Sequence, residues 1–344
     1  MTKLIITKPD DMHLHLREGG ILKYTCMDTE RQFSRAIVMP NLKDPIKKAA
    51  QAEKYYQDIK NHTRESNFEP LMTLFFTDEL NSDEIKKVSD SSVIHGIKLY
   101  PSGVTTNSNS GVNTIDECFN LFELMQKYDV PLLIHAESNN KNIDIFDREK
   151  VFIDNHLCNI HSEFPDLRIV FEHISTKEAV DFVISSSTKV GATITPQHLL
   201  LDRNDLLSGG IKPHHYCLPI LKRAEDRQAI IKAAVSGSQK FFLGTDSAPH
   251  FRHQKESSCG CAGIYSAAYA MELYVSIFEA ENSLDKLENF SSKFGADFYK
   301  LPYNKSKITL IKKELEIPTK IKIGNEEVIP LFAGETLSWQ LTEI

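Results

Sequence analysis

The chain lacks most of the features that mark membrane, secreted or nucleic-acid-binding proteins. No apolar run approaches the ~18–20 residues that span a bilayer, and the opening Met-Thr-Lys-Leu-Ile-Ile-Thr-Lys-Pro-Asp is too briefly apolar for a signal peptide. Six cysteines (26, 118, 158, 217, 259 and 261) spread over 344 residues do not make a disulfide framework. Positive charge is in deficit, with 40 Lys and Arg against 47 Asp and Glu and a net charge of −7. Phosphate binding needs a basic face, so this balance argues against nucleic acid as the main partner. Internal repeats, Pro- or Gly-rich linkers and low-complexity segments are also missing. The expectation is a soluble, cytoplasmic protein with no membrane or nucleic-acid partner. With 41% hydrophobic and 25% charged residues, the composition is that of an ordinary globular protein.

Short β-type runs alternate with helical patterns from end to end. Strands are expected at Lys3–Thr7, Arg35–Met39, Leu71–Phe76, Ile94–Tyr100, Pro131–His135, Arg168–Phe171, Val190–Thr195 and Phe241–Gly244. Most are continuous apolar runs, as parallel strands covered on both faces require. Between them, 116–128 carries a broad apolar stripe with Phe119, Phe122 and Tyr128, and 176–186 and 224–235 behave alike. Helices separating short buried strands imply right-handed βαβ units. A count of eight favours a closed (β/α)8 TIM barrel over an open sheet, and ~250 residues plus insertions suffice for one. A single domain over 1–344 is expected, its surface extension at about 301–344 including Lys320–Ile323 as an extra strand. The loosest segment is 102–113, rich in Ser, Asn and Gly.

A barrel of this kind forms its active site at the C-terminal ends of the strands. His13 and His15 follow the first expected strand, Asn41 the second, and Lys98 lies near the end of the fourth. His135, His173 and Asp246 end the fifth, sixth and eighth. A His-x-His pair alone means little, since chance supplies one in roughly half of chains with this many histidines. Four histidines, a lysine and an aspartate at one mouth mean more, because they come from five separate strands. Strand side chains repeat every second residue, so His13 and His15 share a face. Neutral imidazole suits Zn²⁺, and an Asp oxygen completes an open catalytic site. A lysine buried among Gly96, Ile97, Leu99, Tyr100 and Pro101 has its charged form disfavoured. As a free amine it can add CO₂ and become a carbamate whose two oxygens bridge two cations. Two such metals, about 3.5–4 Å apart, would share one hydroxide.

The motifs Asp-Met-His-Leu-His-Leu-Arg, Val-Met-Pro-Asn, Lys-Leu-Tyr-Pro, Phe-Glu-His-Ile, Ala-Thr-Ile-Thr-Pro-Gln-His-Leu, Gly-Thr-Asp-Ser-Ala-Pro-His and Lys-Glu-Ser-Ser-Cys-Gly-Cys-Ala-Gly resemble those of the amidohydrolase superfamily. Within it the sequence is similar to the shorter, bacterial dihydroorotases, from about residue 3 to about 336. Glu18 after Arg17, where Asp is expected, and Ala136 between His135 and Glu137, where Gly is expected, are small departures away from the ligands. The resemblance implies that His13, His15 and Asp246 hold one zinc, that His135 and His173 hold the other, and that Lys98, as N6-carboxylysine, bridges them. It implies that Arg17, Asn41 and His250 bind the substrate carboxylate, that Thr105 and Thr106 belong to a closing loop, and that Leu218 and Ala262 contact the pyrimidine ring. It also implies a homodimer. Relatives often add a β-sandwich that uses residues before the first strand. With twelve residues ahead of His13, that N-terminal part is expected to be missing here.

Read from the residues alone, several of these positions stay open. Arg17 suits a carboxylate through its planar fork, or makes a surface ion pair. Asn41 could be a turn residue, His250 a loop histidine, and Thr105 and Thr106 part of a solvated loop or a lid. Cys259 and Cys261 form a lone Cys-x-Cys, which favours packing over metal binding. The reaction implied is reversible hydrolysis of (S)-dihydroorotate to N-carbamoyl-L-aspartate, with a metal-bridging hydroxide attacking the ring amide and Asp246 shuttling the proton. Another cyclic amidase of hydantoinase or allantoinase type, or a non-catalytic dihydroorotase-like subunit, is the alternative.

Overall fold

The computed structural model describes residues 2–63 and 67–342. Its centre is an eight-stranded parallel sheet of β2 (Asp10–Leu14), β3 (Arg35–Val38), β4 (Glu69–Phe75), β5 (Ile94–Leu99), β6 (Leu132–Ile134), β7 (Ile169–Phe171), β8 (Val190–Ile194) and β9 (Phe241–Leu243), paired in chain order. The barrel closes just beyond the strand ends, where Asp246 N–H donates to His13 O (2.8 Å) and His15 N–H to Ser247 O (2.9 Å). The longer helices Leu22–Gln32, Ala49–Lys60, Ser82–Asp90, Phe119–Lys127, Lys177–Ser185, Ala224–Ala234 and Ala270–Ala280 each follow a strand. They bury their apolar faces against the outside of the barrel, as Phe122 and Met125 do. Inside, Met12, Ile37, Leu71, Leu133, Val170 and Phe242 fill the barrel, and Phe294 and Tyr299 pack with them. The (β/α)8 TIM-barrel class expected from the sequence is therefore the class observed.

One of the eight expected strands has a different place. Lys3–Thr7 is a strand (β1), but it pairs antiparallel with β10 (Lys307–Glu316), which in turn pairs with β13 (Thr336–Thr342). The first barrel strand is instead Asp10–Leu14, a polar run that reads as loop. It can be a buried strand because its carboxylates are hydrogen-bonded: Arg35 makes two bonds to Asp10 (2.9 and 2.6 Å), and Thr245 makes two to Asp11 (2.8 and 2.6 Å). The expectation that the N-terminus adds nothing to a flanking sheet is corrected by the same pairing. Ile5, at 50% exposed, shows why: β1 has an open face that no barrel strand could keep. The C-terminal extension is also more ordered than expected. Besides β10 and β13 it holds a hairpin of β11 (Ile321–Ile323) and β12 (Glu326–Val328). No helix among the described residues is long and apolar enough to cross a membrane.

Candidate active site

The period of two along each strand carries the barrel core up into the site. Leu133 lies in the core and His135 two residues on at the mouth; Phe242 and Asp246 stand in the same relation with Gly244 between them. Gly244 has to be glycine, because a Cβ there would lie 2.7 Å from Thr193 Cβ and 3.0 Å from His13 Cβ. Past the strand ends the backbone turns sharply. Arg17 (φ 65°), His173 (φ 41°) and Asp246 (φ 45°) all adopt the left-handed region that non-glycine residues avoid. His13, His15, Arg17, Asn41, Tyr100, Thr105, Thr106, His135, His173, Leu218, Asp246 and Ala262 line one cavity of about 330 Å³. Lys98 is fully buried, its Nζ 5.0 Å from the Tyr100 ring centroid.

The hydrogen bonds leave ligand atoms bare toward this cavity. His13 Nδ1 is 2.7 Å from Glu172 Oε2, so Nδ1–H faces the carboxylate and Nε2 keeps its lone pair. His15 Nε2 and His13 Nε2 lie 3.0 and 3.4 Å from Asp246 Oδ1. One ligand atom each from His13, His15 and Asp246 falls within 4.8 Å of the others. On the far side, His135 Nε2–H donates to Glu137 Oε2 (2.8 Å), which turns Nδ1 toward His173 Nε2, 3.1 Å away. His13 Nε2, Lys98 Nζ and His173 Nδ1 are buried with no hydrogen-bond partner among the described residues. Buried polar atoms are almost always paired; bare His13 Nε2 and Lys98 Nζ, beside His135 Nδ1 and His173 Nε2 held 3.1 Å apart, fit a cation site whose donors already face it.

The electrostatics agree with that fit. Burial, helped by the nearby His135 and Lys98, pushes the His173 imidazole well below its ordinary value, and burial takes His15 down to about 4. For His13 burial acts downward too, but the Glu172 and Asp246 carboxylates together outweigh it and the value rises. Burial would raise Asp246, yet the neighbouring His13 and His15 imidazoles hold it well below the carboxylate range. Burial lowers Lys98 to about 8 against the pull of Glu172 and Asp246. A group with that value is about one-tenth free amine at pH 7, the form that adds CO₂.

The remaining expected residues gather at the rim. Arg17 Nε donates to Pro249 O (3.2 Å), while its Nη2 lies 3.0 Å from His250 Nε2. That same Nε2 is 3.0 Å from Ala262 O. Burial, with Arg17 and Lys255 adding to it, depresses His250 to about 2, so the ring is neutral. One Nε2 cannot both donate to Ala262 and accept from Arg17, so the pair lacks an acceptor that an incoming carboxylate would supply. Asn41 Nδ2 donates to Thr106 O (3.1 Å), Asn107 Nδ2 to Asn41 O (3.1 Å), and Thr106 Oγ1 to Ala262 O (3.4 Å). The loop bearing Thr105 and Thr106 is thus fastened across the mouth rather than merely solvated. Leu218 also lines the cavity.

Sequence reasoning gave no role to Glu172 and Glu137, the two carboxylates behind His13 and His135. Their neighbours in the chain, Phe-Glu-His and His-Ala-Glu, hold the only local signal. Cys259 is exposed and Cys261 half-buried, so the packing expected of the pair does not hold for Cys259; neither joins a metal-ligating group among the described residues.

A parallel barrel with imidazole, amine and carboxylate groups converging at its C-terminal mouth is the architecture of a metal-dependent hydrolase. The chain belongs to the amidohydrolase family, whose sequence pattern matches residues 4–313. Its relatives place it among the dihydroorotases within that family. The dihydroorotase of Coxiella burnetii is 56% identical over 342 residues, covering 99% of this chain and 98% of the relative. A dihydroorotase from Saccharomyces cerevisiae, solved in complex with 5-fluoroorotic acid, superposes with a TM-score of 0.92 at 32% identity over 99% of both chains. The Campylobacter jejuni dihydroorotase gives 0.91 at 35% identity over 99% of this chain and 98% of that one.

Proposed function

We propose that the chain opens the ring of (S)-dihydroorotate by hydrolysis, giving N-carbamoyl-L-aspartate, and closes it in reverse, as a step of pyrimidine biosynthesis. The observation that carries the residue roles is buried, unpartnered His13 Nε2 and Lys98 Nζ beside the facing pair His135 Nδ1 and His173 Nε2, at a cavity with Arg17 at its rim. Two zinc ions fit the donors: His13, His15 and Asp246 would hold one, His135 and His173 the other, with Lys98 as N6-carboxylysine between them. Bound there, the ions would supply Lewis acidity, acidifying a water and polarising the ring carbonyl.

The other steps belong to the chain's own groups. Arg17, Asn41 and His250 hold the substrate carboxylate and fix the ring over the site. The water oxygen bonds to the ring carbonyl carbon as its proton passes to the Asp246 carboxylate. The ring C–N bond then breaks, and Asp246 returns the proton to the departing nitrogen. Thr105 and Thr106 cover the substrate and exclude water, while Leu218 and Ala262 flank the ring. We read residues 1–344 as one barrel domain acting as a cytoplasmic homodimer.

Ring opening of dihydroorotate, followed by ultraviolet absorbance beside the carboxylate-free dihydrouracil, tests the substrate. Turnover of the first and little of the second is expected. Equal rates would turn the assignment to a broader cyclic amidase, and no turnover of either to a silent subunit.

A further inference from the structure

The Lys-Glu-Ser-Ser-Cys-Gly-Cys-Ala-Gly stretch contains a buried cation that the mechanism above does not use. Lys255 is 4% exposed and pairs with no carboxylate among the described residues. Its Nζ instead donates to three backbone carbonyls: Tyr216 (2.7 Å), Cys261 (2.8 Å) and Gly263 (2.6 Å). Three N–H donors meet three acceptors, so the ammonium is fully used. These carbonyls flank both walls of the cavity, Tyr216 two residues before Leu218, Cys261 and Gly263 on either side of Ala262. Gly263 N–H also donates to Tyr216 O (3.0 Å), which ties the two walls directly.

The planarity of the peptide turns this knot into a statement about the site. In a trans peptide the C=O and the following N–H point in opposite directions. With the Cys261 carbonyl held on Lys255, the Ala262 N–H points away from Lys255, which does not line the cavity, while Ala262 does. That N–H donates to no acceptor among the described residues. The next peptide is fixed the other way, its carbonyl facing His250 Nε2 (3.0 Å) and Thr106 Oγ1 (3.4 Å). Gly263 is obligatory in this arrangement: its φ is +146°, and a Cβ would stand 2.5 Å from Ala248 O.

We infer that Lys255 is a positioning residue that sets the backbone of the Ala262 wall so that its free N–H meets the substrate ring. This rests on the dihydroorotate assignment and adds a residue to it. Lysine is suited to the task because a compact ammonium can serve three carbonyls in a pyramid, whereas a planar guanidinium cannot.

The test is Lys255→Met in the full-length, metal-loaded protein. KM for dihydroorotate should rise about tenfold or more and the affinity for 5-fluoroorotic acid should fall in step. Metal content and kcat should stay within about twofold of the parent. Unchanged KM and affinity in the folded variant would overturn the inference, and so would a loss of metal and kcat in proportion to KM, which is what general loosening produces. If Lys255→Met does not fold, Lys255→Arg carries the test. It keeps the charge but reaches fewer carbonyls, so a smaller rise confined to KM is expected, and a parent-like KM would refute the role. An active parent with an unaffected variant overturns the Lys255 role alone; a parent inactive on dihydroorotate overturns the substrate assignment with it.

Discussion

Replacing Glu172 by glutamine tests how His13 is prepared for a cation. Glu172 is fully buried, and its Oε2 accepts from His13 Nδ1 (2.7 Å) and from Thr193 Oγ1 (2.5 Å). Thr193 Oγ1 in turn accepts from the His173 backbone N–H (2.6 Å), so one carboxylate steadies two histidines, one on β2 and one just past β7. Glutamine keeps the shape but replaces a charge-assisted bond, worth roughly 1.5–3 kcal/mol, by a neutral one of roughly 0.5–1.5 kcal/mol. The difference, about 1–1.5 kcal/mol, makes His13 a weaker donor by about tenfold in metal affinity, the lower end of the 10–100-fold typical of such partners. The carboxylate also raises the His13 proton affinity, so proton competition must be removed by working at about pH 8, above the ordinary imidazole range. Titration of the metal-free protein against a competing chelator reads the affinity directly. A weakening near tenfold is expected, with activity largely regained at saturating metal. An affinity equal to the parent's would refute the claim that Glu172 tunes His13, and an activity loss that excess metal cannot reverse would place Glu172 in the chemistry itself.

Asp246→Ala should lower kcat by about 10²–10⁴-fold, the usual contribution of a proton-transfer group, whereas Arg17→Ala should mainly raise KM; steady-state kinetics on both separate the two roles. Glu137 is held below the ordinary carboxylate value, its burial being outweighed by the His135 hydrogen bond and Lys222. Its stabilisation is therefore present above the unfolded value of about 4.3 and is lost as pH falls through the folded one. Glu137→Gln should accordingly show a flatter fall of Tm between pH 5 and 3 than the parent. Trp339, fully buried in β13 with Nε1 donating to Glu279 Oε2 (3.0 Å), anchors the C-terminal sheet. Trp339→Ala should cost about 3–5 kcal/mol in denaturant unfolding, and a cost under 1 kcal/mol would show that the sheet does not support the barrel.

Several candidate ligands were legible because they interrupt or end an apolar run, and a barrel assigns all such ends to one mouth. His135 after Leu132–Ile134 and His173 after Ile169–Phe171 are of this kind. The polar strand Asp10–Leu14 was not legible, since what lets it be buried, Arg35 and Thr245, lies elsewhere in the chain. The flanking sheet was hidden for a similar reason: residues 3–7 pair with 307–311, a contact that no local pattern announces. The carboxylates behind the histidines lie deeper still. Glu172 stands next to His173 in sequence but serves His13, 159 positions away. Lys255 drew no role of its own from the sequence, and only the folded chain shows three carbonyls closing around it.

The central claim, a metal site completed by a carbamate on Lys98 and used on dihydroorotate, can be tested in one series. Protein stripped by a chelator under CO₂-free conditions would be assayed for dihydroorotate ring opening before and after adding zinc, bicarbonate, or both. Activity that returns fully only with both together is the predicted result. Full activity restored by zinc alone in the strict absence of CO₂ would contradict the carbamate, and no activity with both, in a folded protein, would contradict the substrate.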